Sequence, residues 1–198
     1  MGRRTVEHLL ADVRFALNQG MGPRDLVPML TQLVGRAAAG SEVSRFARLQ
    51  LALQLLESHP FRAATLARSV TLEVDDDEAF GLLGLALTVL GHYRAAATAH
   101  RRACRLHPSH PGHAHNFGHL LDEAFGLPKL ALPWLRRAFL AAPDVSEIAS
   151  SYAHALVRVG QVVQARAILQ DHAGLDQVRT EATVNEWLCP PNRSRNTG

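Results

Sequence analysis

The chain has 198 residues, 47% of them hydrophobic, with 21 Lys and Arg against 18 Asp and Glu for a formal net charge of +3. That length supports a real core, and aromatics at only 6% leave the packing to alanine and leucine, as close helix-on-helix contact allows. No apolar run reaches the roughly 18–20 residues of a membrane span, the mild charge gives no ground for a nucleic-acid partner, and Cys104 and Cys189 lack metal or redox spacing.

The first twenty residues mix Glu7, Asp12 and three arginines on an amphipathic pattern, so no secretory signal peptide is expected. Val6 stands where a myristoylation signal needs Ser or Thr. The reading is a soluble, cytoplasmic protein. Its arginine and alanine richness, with Lys129 the only lysine, suggests a bacterial source. Helices are predicted at about 4–18, with an apolar stripe of Leu9, Leu10, Val13 and Leu17, and at about 23–38, with Leu26, Met29, Leu30 and Leu33. Gly20 and Gly22 should end the first, and Pro23 suits the first turn of the second. Residues 44–75 fit a repeat loosely through Leu51, Ala63, Ala67 and Val70, and the acidic run Asp75 to Glu78 marks a helix N-terminus.

From residue 77 a period of about 34 emerges. Phe80, Leu83, Gly84, Leu87, Gly91, Tyr93, Ala96, His100, Ala103 and Pro108 align with Ala114, Phe117, Gly118, Leu121, Gly126, Pro128, Ala131, Leu135, Ala138 and Pro143, with one extra residue before Gly126. A third copy runs through Ala149, Tyr152, Ala153, Leu156, Gly160, Val162, Ala165 and Leu169, and loses its closing residues at His172. Small residues at fixed points let paired helices approach closely. Glycines at Gly91, Gly126 and Gly160 end the first helix of each pair, and the prolines stop the second.

On these residues the chain resembles the tetratricopeptide repeat (TPR) family. The resemblance implies an all-α, right-handed superhelical stack of antiparallel helix pairs. The expected division is an N-terminal helical hairpin over 1–43, repeats over 44–174, a capping helix over 175–189 and a disordered tail over 190–198. The tail includes an Asn192-Arg193-Ser194 sequon. The resemblance also implies a non-enzymatic interaction module (adaptor, assembly factor or chaperone-like) that binds a protein or peptide segment in a concave groove on the leading helices. The residues expected to line it are Glu78, Leu85, His115, His119, Asp122, Glu123, Glu147, Ser150, His154 and Arg158, with those that carry function facing solvent. Some TPR proteins grip a terminal carboxylate with Lys, Asn, Asn, Lys and Arg. Here Asn116 fills one slot while Gly81, Leu85, Glu147 and Ser151 stand in others, so that ligand is not expected.

Five of the eleven histidines fall between His107 and His119. His107 ends a helix, where an imidazolium suits the dipole. His110 lies in the turn, His113 in the next first turn, and His115 and His119 share a helix face. They point several ways, so no metal, cofactor or catalytic residue is assigned. The alternative is a metal-dependent activity on His115, His119 and Asp122, which share a face at i, i+4 and i+7, with His154 as a fourth ligand. A further reading takes Arg101, Arg102, Arg136, Arg137 and Arg68 as an outer arginine ladder, most simply a solvated face. No membrane or nucleic-acid partner is expected, and pairing of copies end to end is left open.

Overall fold

The computed structural model describes residues 5–189. The myristoylation position at Gly2 and the 190–198 tail with its sequon lie outside them. Among the described residues there are eleven helices and no strand. The first compact unit, ending at His107, holds α1 (Val6–Asn18), α2 (Pro23–Arg36), α3 (Glu42–Leu55), α4 (Pro60–Thr71), α5 (Asp77–Val89) and α6 (Tyr93–Leu106). The second, from Pro108, holds α7 (Pro111–Glu123), α8 (Pro128–Ala141), α9 (Ser146–Arg158), α10 (Val162–Asp171) and α11 (Gln177–Leu188).

Local chemistry explains the starts. Pro23, Pro60, Pro111 and Pro128 occupy the first turn of their helices, where a missing N–H costs nothing. Ser41 Oγ accepts from the Ser44 N–H at 3.1 Å, and Asp76 Oδ1 from the Ala79 N–H at 2.7 Å. The acidic run therefore divides its work: Asp76 caps α5, while Asp77 and Glu78 sit in its first turn. Gly22 departs from expectation. It is the N-cap of α2 with extended backbone, and Gly20 alone turns the chain after α1, at φ +65°.

The inter-helix turns follow the repeat. Gly91, Gly126 and Gly160 take φ of +74°, +66° and +84°, where a β-carbon would be strained. The His92 N–H reaches Leu87 O at 2.9 Å and the Gln161 N–H reaches Leu156 O at 2.8 Å. In the middle turn the Leu127 N–H reaches back to Leu121 O at 2.9 Å, one residue further. That wider loop absorbs the extra residue seen before Gly126.

In the first unit, α2 packs on α3, α3 on α4, and α5 on both α4 and α6, while the leading helices α3 and α5 also touch. Leu26, Leu30 and Leu33 from the hairpin join Leu51, Ala63, Ala67 and Val70 in a continuous core. The Arg48 guanidinium, buried against this core, reaches across to the Glu73 carboxylate at 2.6 Å and to Ser69 Oγ at 2.9 Å. A bidentate pair of this kind ties α3 to the end of α4. It also holds the Glu73 carboxyl below its ordinary range.

In the second unit, α7 packs on α8, α8 on α9, and α9 on both α10 and α11, with α7 also touching α9. Its core collects Ala131, Leu135, Tyr152, Ala153, Leu156, Ala165, Leu169 and Val184. The repeat glycines serve the contacts assigned to them, with a refinement. A β-carbon at Gly84 would lie 2.5 Å from His100 Cε1, and one at Gly118 would lie 2.7 Å from Leu135 Cγ. What these glycines chiefly admit is a buried side chain of the partner helix. Ala96, Ala131 and Ala165 are fully buried on that partner.

Candidate functional site

The histidine-rich stretch disperses. His107 Nδ1 lies 3.1 Å from Asp77 Oδ2, so its partner is a side chain at the head of α5 and not only the end of its own helix. His110 is the N-cap of α7, its Nδ1 accepting from the His113 N–H at 3.2 Å, and its ring stacks on His113 at 4.0 Å. His113 is buried. Only His115 and His119 project onto the face that α7 shares with α9.

That face carries two linked clusters. In the first, His115 Nε2 lies 3.0 Å from Ser151 Oγ, and His119 Nδ1 lies 3.4 Å from the same hydroxyl. In the second, the Arg158 guanidinium donates to Asp122 Oδ1 and to the Asp122 carbonyl, each at 2.6 Å. His154 Nδ1 lies 2.8 Å from Asp122 Oδ2 and 2.9 Å from Glu123 Oε1. The Trp187 indole of α11 meets His154 edge-on at 4.9 Å, which brings a third helix to the cluster.

Of the residues expected to line a groove, His119, Glu123, Glu147 and Arg158 are exposed, while Ser150 and His154 are half-buried. His115 and Asp122 are buried, at 6% and 1% exposure, and so do not face solvent as the helical spacing suggested. They act as struts beneath the exposed members. Glu78 and Leu85 sit on α5 in the first unit, the former exposed and the latter half-buried. Ser151 and Trp187, outside the expected set, prove to be central contacts. Ser151 lies one turn before His154, so its face was readable from spacing. The approach of Trp187 was not.

The alternative metal trio is corrected by this geometry. Asp122 is turned to His154 and Arg158, whereas His115 and His119 meet at Ser151, so the three do not converge. Among the described residues the donor set that does converge is Asp122, Glu123 and His154, with ligand atoms within 4.8 Å of one another. Arg158 already holds the Asp122 carboxylate, and its fixed positive charge opposes a cation there.

Burial pushes the His115 imidazole below its ordinary value near 6.5; the nearby His119 adds to this, while Glu147 and a hydrogen bond with Asn116 oppose it. The folded protein therefore resists protonation at His115, and the unfolded chain takes up that proton first as pH falls. Stability should decline as pH drops from about 7 toward 5, because this group binds more protons in the unfolded state. Urea midpoints measured across that range should decline less steeply in His115→Gln. An unchanged slope would show that the imidazole does not govern the effect.

The paired helices, their glycine and alanine contacts and the polar face on the leading helices define an all-α protein of TPR-like fold. Among solved structures it is similar to MamA (residues 41 to the end) from Desulfovibrio magneticus RS-1, with TM-score 0.67 and 13% identity over 90% of this chain and 96% of that one. A second MamA crystal structure aligns with TM-score 0.64 and 15% identity over 88% and 96% of the two chains. YrrB, described as a TPR protein with an unusual peptide-binding site, aligns with TM-score 0.65 and 18% identity over 80% and 79%. At these identities the likeness is one of fold. No protein-family model and no curated protein matches the chain. No helix among the described residues is long and apolar enough to cross a membrane.

Proposed function

We propose that the chain is a non-enzymatic, cytoplasmic protein-interaction module, an adaptor, assembly factor or chaperone-like protein. It takes an extended or helical segment of a partner on the polar face of α7 and α9. The observation that carries this reading is the arrangement of that face: His119, Glu123, Glu147 and Arg158 stand exposed over buried His115 and Asp122, with half-buried Ser151 between. Mixed charge and hydrogen-bonding groups, held by buried partners, suit the recognition of a polar peptide more than the shelter of a reaction. Within the first unit, Glu78 and Leu85 hold the comparable repeat positions on α5, the former exposed and the latter half-buried. YrrB, with its peptide-binding site, supports the class of ligand.

The Ser151–His115 contact does not argue for hydrolysis. Ser151 lies in the middle of α9, where neighbouring backbone N–H groups are spent on the helix and cannot form an oxyanion hole. The test is affinity capture from the native source followed by variants of the exposed residues only. His119→Ala with Glu123→Ala should leave stability within about 0.5 kcal/mol. It should weaken partner binding roughly tenfold, as the loss of contacts worth about 1.4 kcal/mol would. Binding that persists unchanged in this folded variant would remove the site from α7 and α9.

A further inference from the structure

The first unit holds a groove of about 830 Å³ between α4 and α6, with α5 as its floor. Its floor is apolar: Phe80, Leu83 and Leu87 rise from α5 between the two walls. Phe61 at the start of α4 and Leu72 at its end also line it, and they are 76% and 79% exposed. At 1.5 Å per helical residue these two mark out a trough about 16 Å long, the length of about three helical turns. Side chains this large, this exposed and this aligned are not explained by the core, which is already filled by the alanines beneath them.

The rim has one sign of charge. Arg68 stands on the α4 wall, and Arg101, Arg102 and Arg105 on the α6 wall; no carboxylate lines the groove. Arg102 is engaged by Asp75 at 2.6 Å. Arg68, Arg101 and Arg105 have no ion pair among the described residues. In the second unit Arg137, the counterpart of Arg102 in the repeat, lies over the Trp134 ring at 4.5 Å.

We propose that this groove docks an acidic amphipathic helix of a partner protein. Its apolar stripe would lie on Leu83, Leu87 and Phe61, and its carboxylates would reach Arg68, Arg101 and Arg105. Charge complementarity selects this occupant. Cationic side chains on both walls call for anionic groups on both flanks of the ligand and repeated along it. A long-chain carboxylate offers one anionic head and leaves the opposite wall unpaired. A helix with apolar residues at i, i+3, i+4 and i+7 and acidic flanks meets both conditions. The surface is separate from the α7–α9 face, so each proposal stands or falls on its own variants.

The test is selection from a displayed library of helical peptides with leucines fixed at those four positions and flanking positions randomised among Glu, Lys, Gln and Ser. Against the full chain, enriched sequences should be dominated by Glu. Their synthetic peptides should bind at least tenfold more weakly to Arg68→Ala/Arg101→Ala/Arg105→Ala and to Phe61→Ser. The triple variant changes only exposed side chains, and its circular dichroism and melting should match the parent. Binding should weaken steeply between 50 and 300 mM salt, on the order expected for exposed charge pairs. No enrichment, enrichment without acidic bias, or peptide binding that survives the triple variant would each overturn the proposal. So would displacement of the peptide by oleate at lower concentration than by unlabelled peptide, which would assign the groove to a fatty anion.

Discussion

Gly84→Leu should lower the unfolding free energy by about 1–3 kcal/mol or more, because a side chain there has no space to enter. Even its β-carbon would meet His100 Cε1 at 2.5 Å and Nδ1 at 2.6 Å. His100 is 1% exposed, so the ring cannot swing out to solvent. Either α5 and α6 move apart or the imidazole leaves its place, and both disturb the alanine contacts at Ala96 and Ala103. Ala96→Phe should be comparably damaging, since Ala96 is wholly buried on the same helix. The specific claim is the pairing. His100→Ala opens space opposite Gly84, so the double variant Gly84→Leu/His100→Ala should be more stable than the sum of its parts, with coupling of about 0.5–3 kcal/mol. Urea midpoints for the four proteins decide it. If Gly84→Leu melts with the parent, or the two changes simply add, the register of that repeat is wrong.

Asp122→Ala should cost about 2–3 kcal/mol. Its side chain is 2% exposed and takes the guanidinium of Arg158 at 2.6 Å and the imidazole of His154 at 2.8 Å. Removing one member of a fully buried pair costs roughly 3–5 kcal/mol because the survivor is stranded without water. Arg158 is 31% exposed and can partly rehydrate, which lowers the expectation. Removing Arg158 as well relieves the stranded charge, so Asp122→Ala/Arg158→Ala should be no less stable than Asp122→Ala alone. Denaturation at pH 7 measures all three differences. A loss under 0.5 kcal/mol for the single variant would mean that the network is ornamental to folding.

Much of the fold was legible because its signals are local or periodic. Pro23, Asp76 and Gly91 announce turns through their own backbone chemistry, and Gly84 and Gly118, 34 positions apart, reveal the repeat. The face that holds His115, His119 and Asp122 was legible for the same reason, since helical spacing places them together. Spacing gives no account of what the neighbouring helix offers. Asp122 has Arg158 and His154 competing for its oxygens, both supplied by α9, and this turns it from the two histidines on its own helix. Burial was hidden likewise: His115 looks polar and exposed in sequence, yet α9 covers it. The groove over α5 escaped for a different reason. Its α4 wall belongs to the loosest copy of the repeat, where Phe61 and Leu72 occupy no signature position and read as ordinary apolar residues.

The edge-on packing of Trp187 against His154 gives the protein its own optical reporter. There are two tryptophans in the chain, and the other, Trp134, is enclosed by Phe117 at 4.9 Å and Arg137 at 4.5 Å. Any segment that settles over His119 and Glu123 must disturb the imidazole of His154, which lies 2.9 Å from Glu123 and packs on the Trp187 indole. Emission from Trp187 should therefore shift when the α7–α9 face is filled and stay constant when the α4–α6 groove is filled. Unlabelled protein can thus distinguish the two surfaces by the colour and intensity of its light, with Trp187→Phe as the dark control.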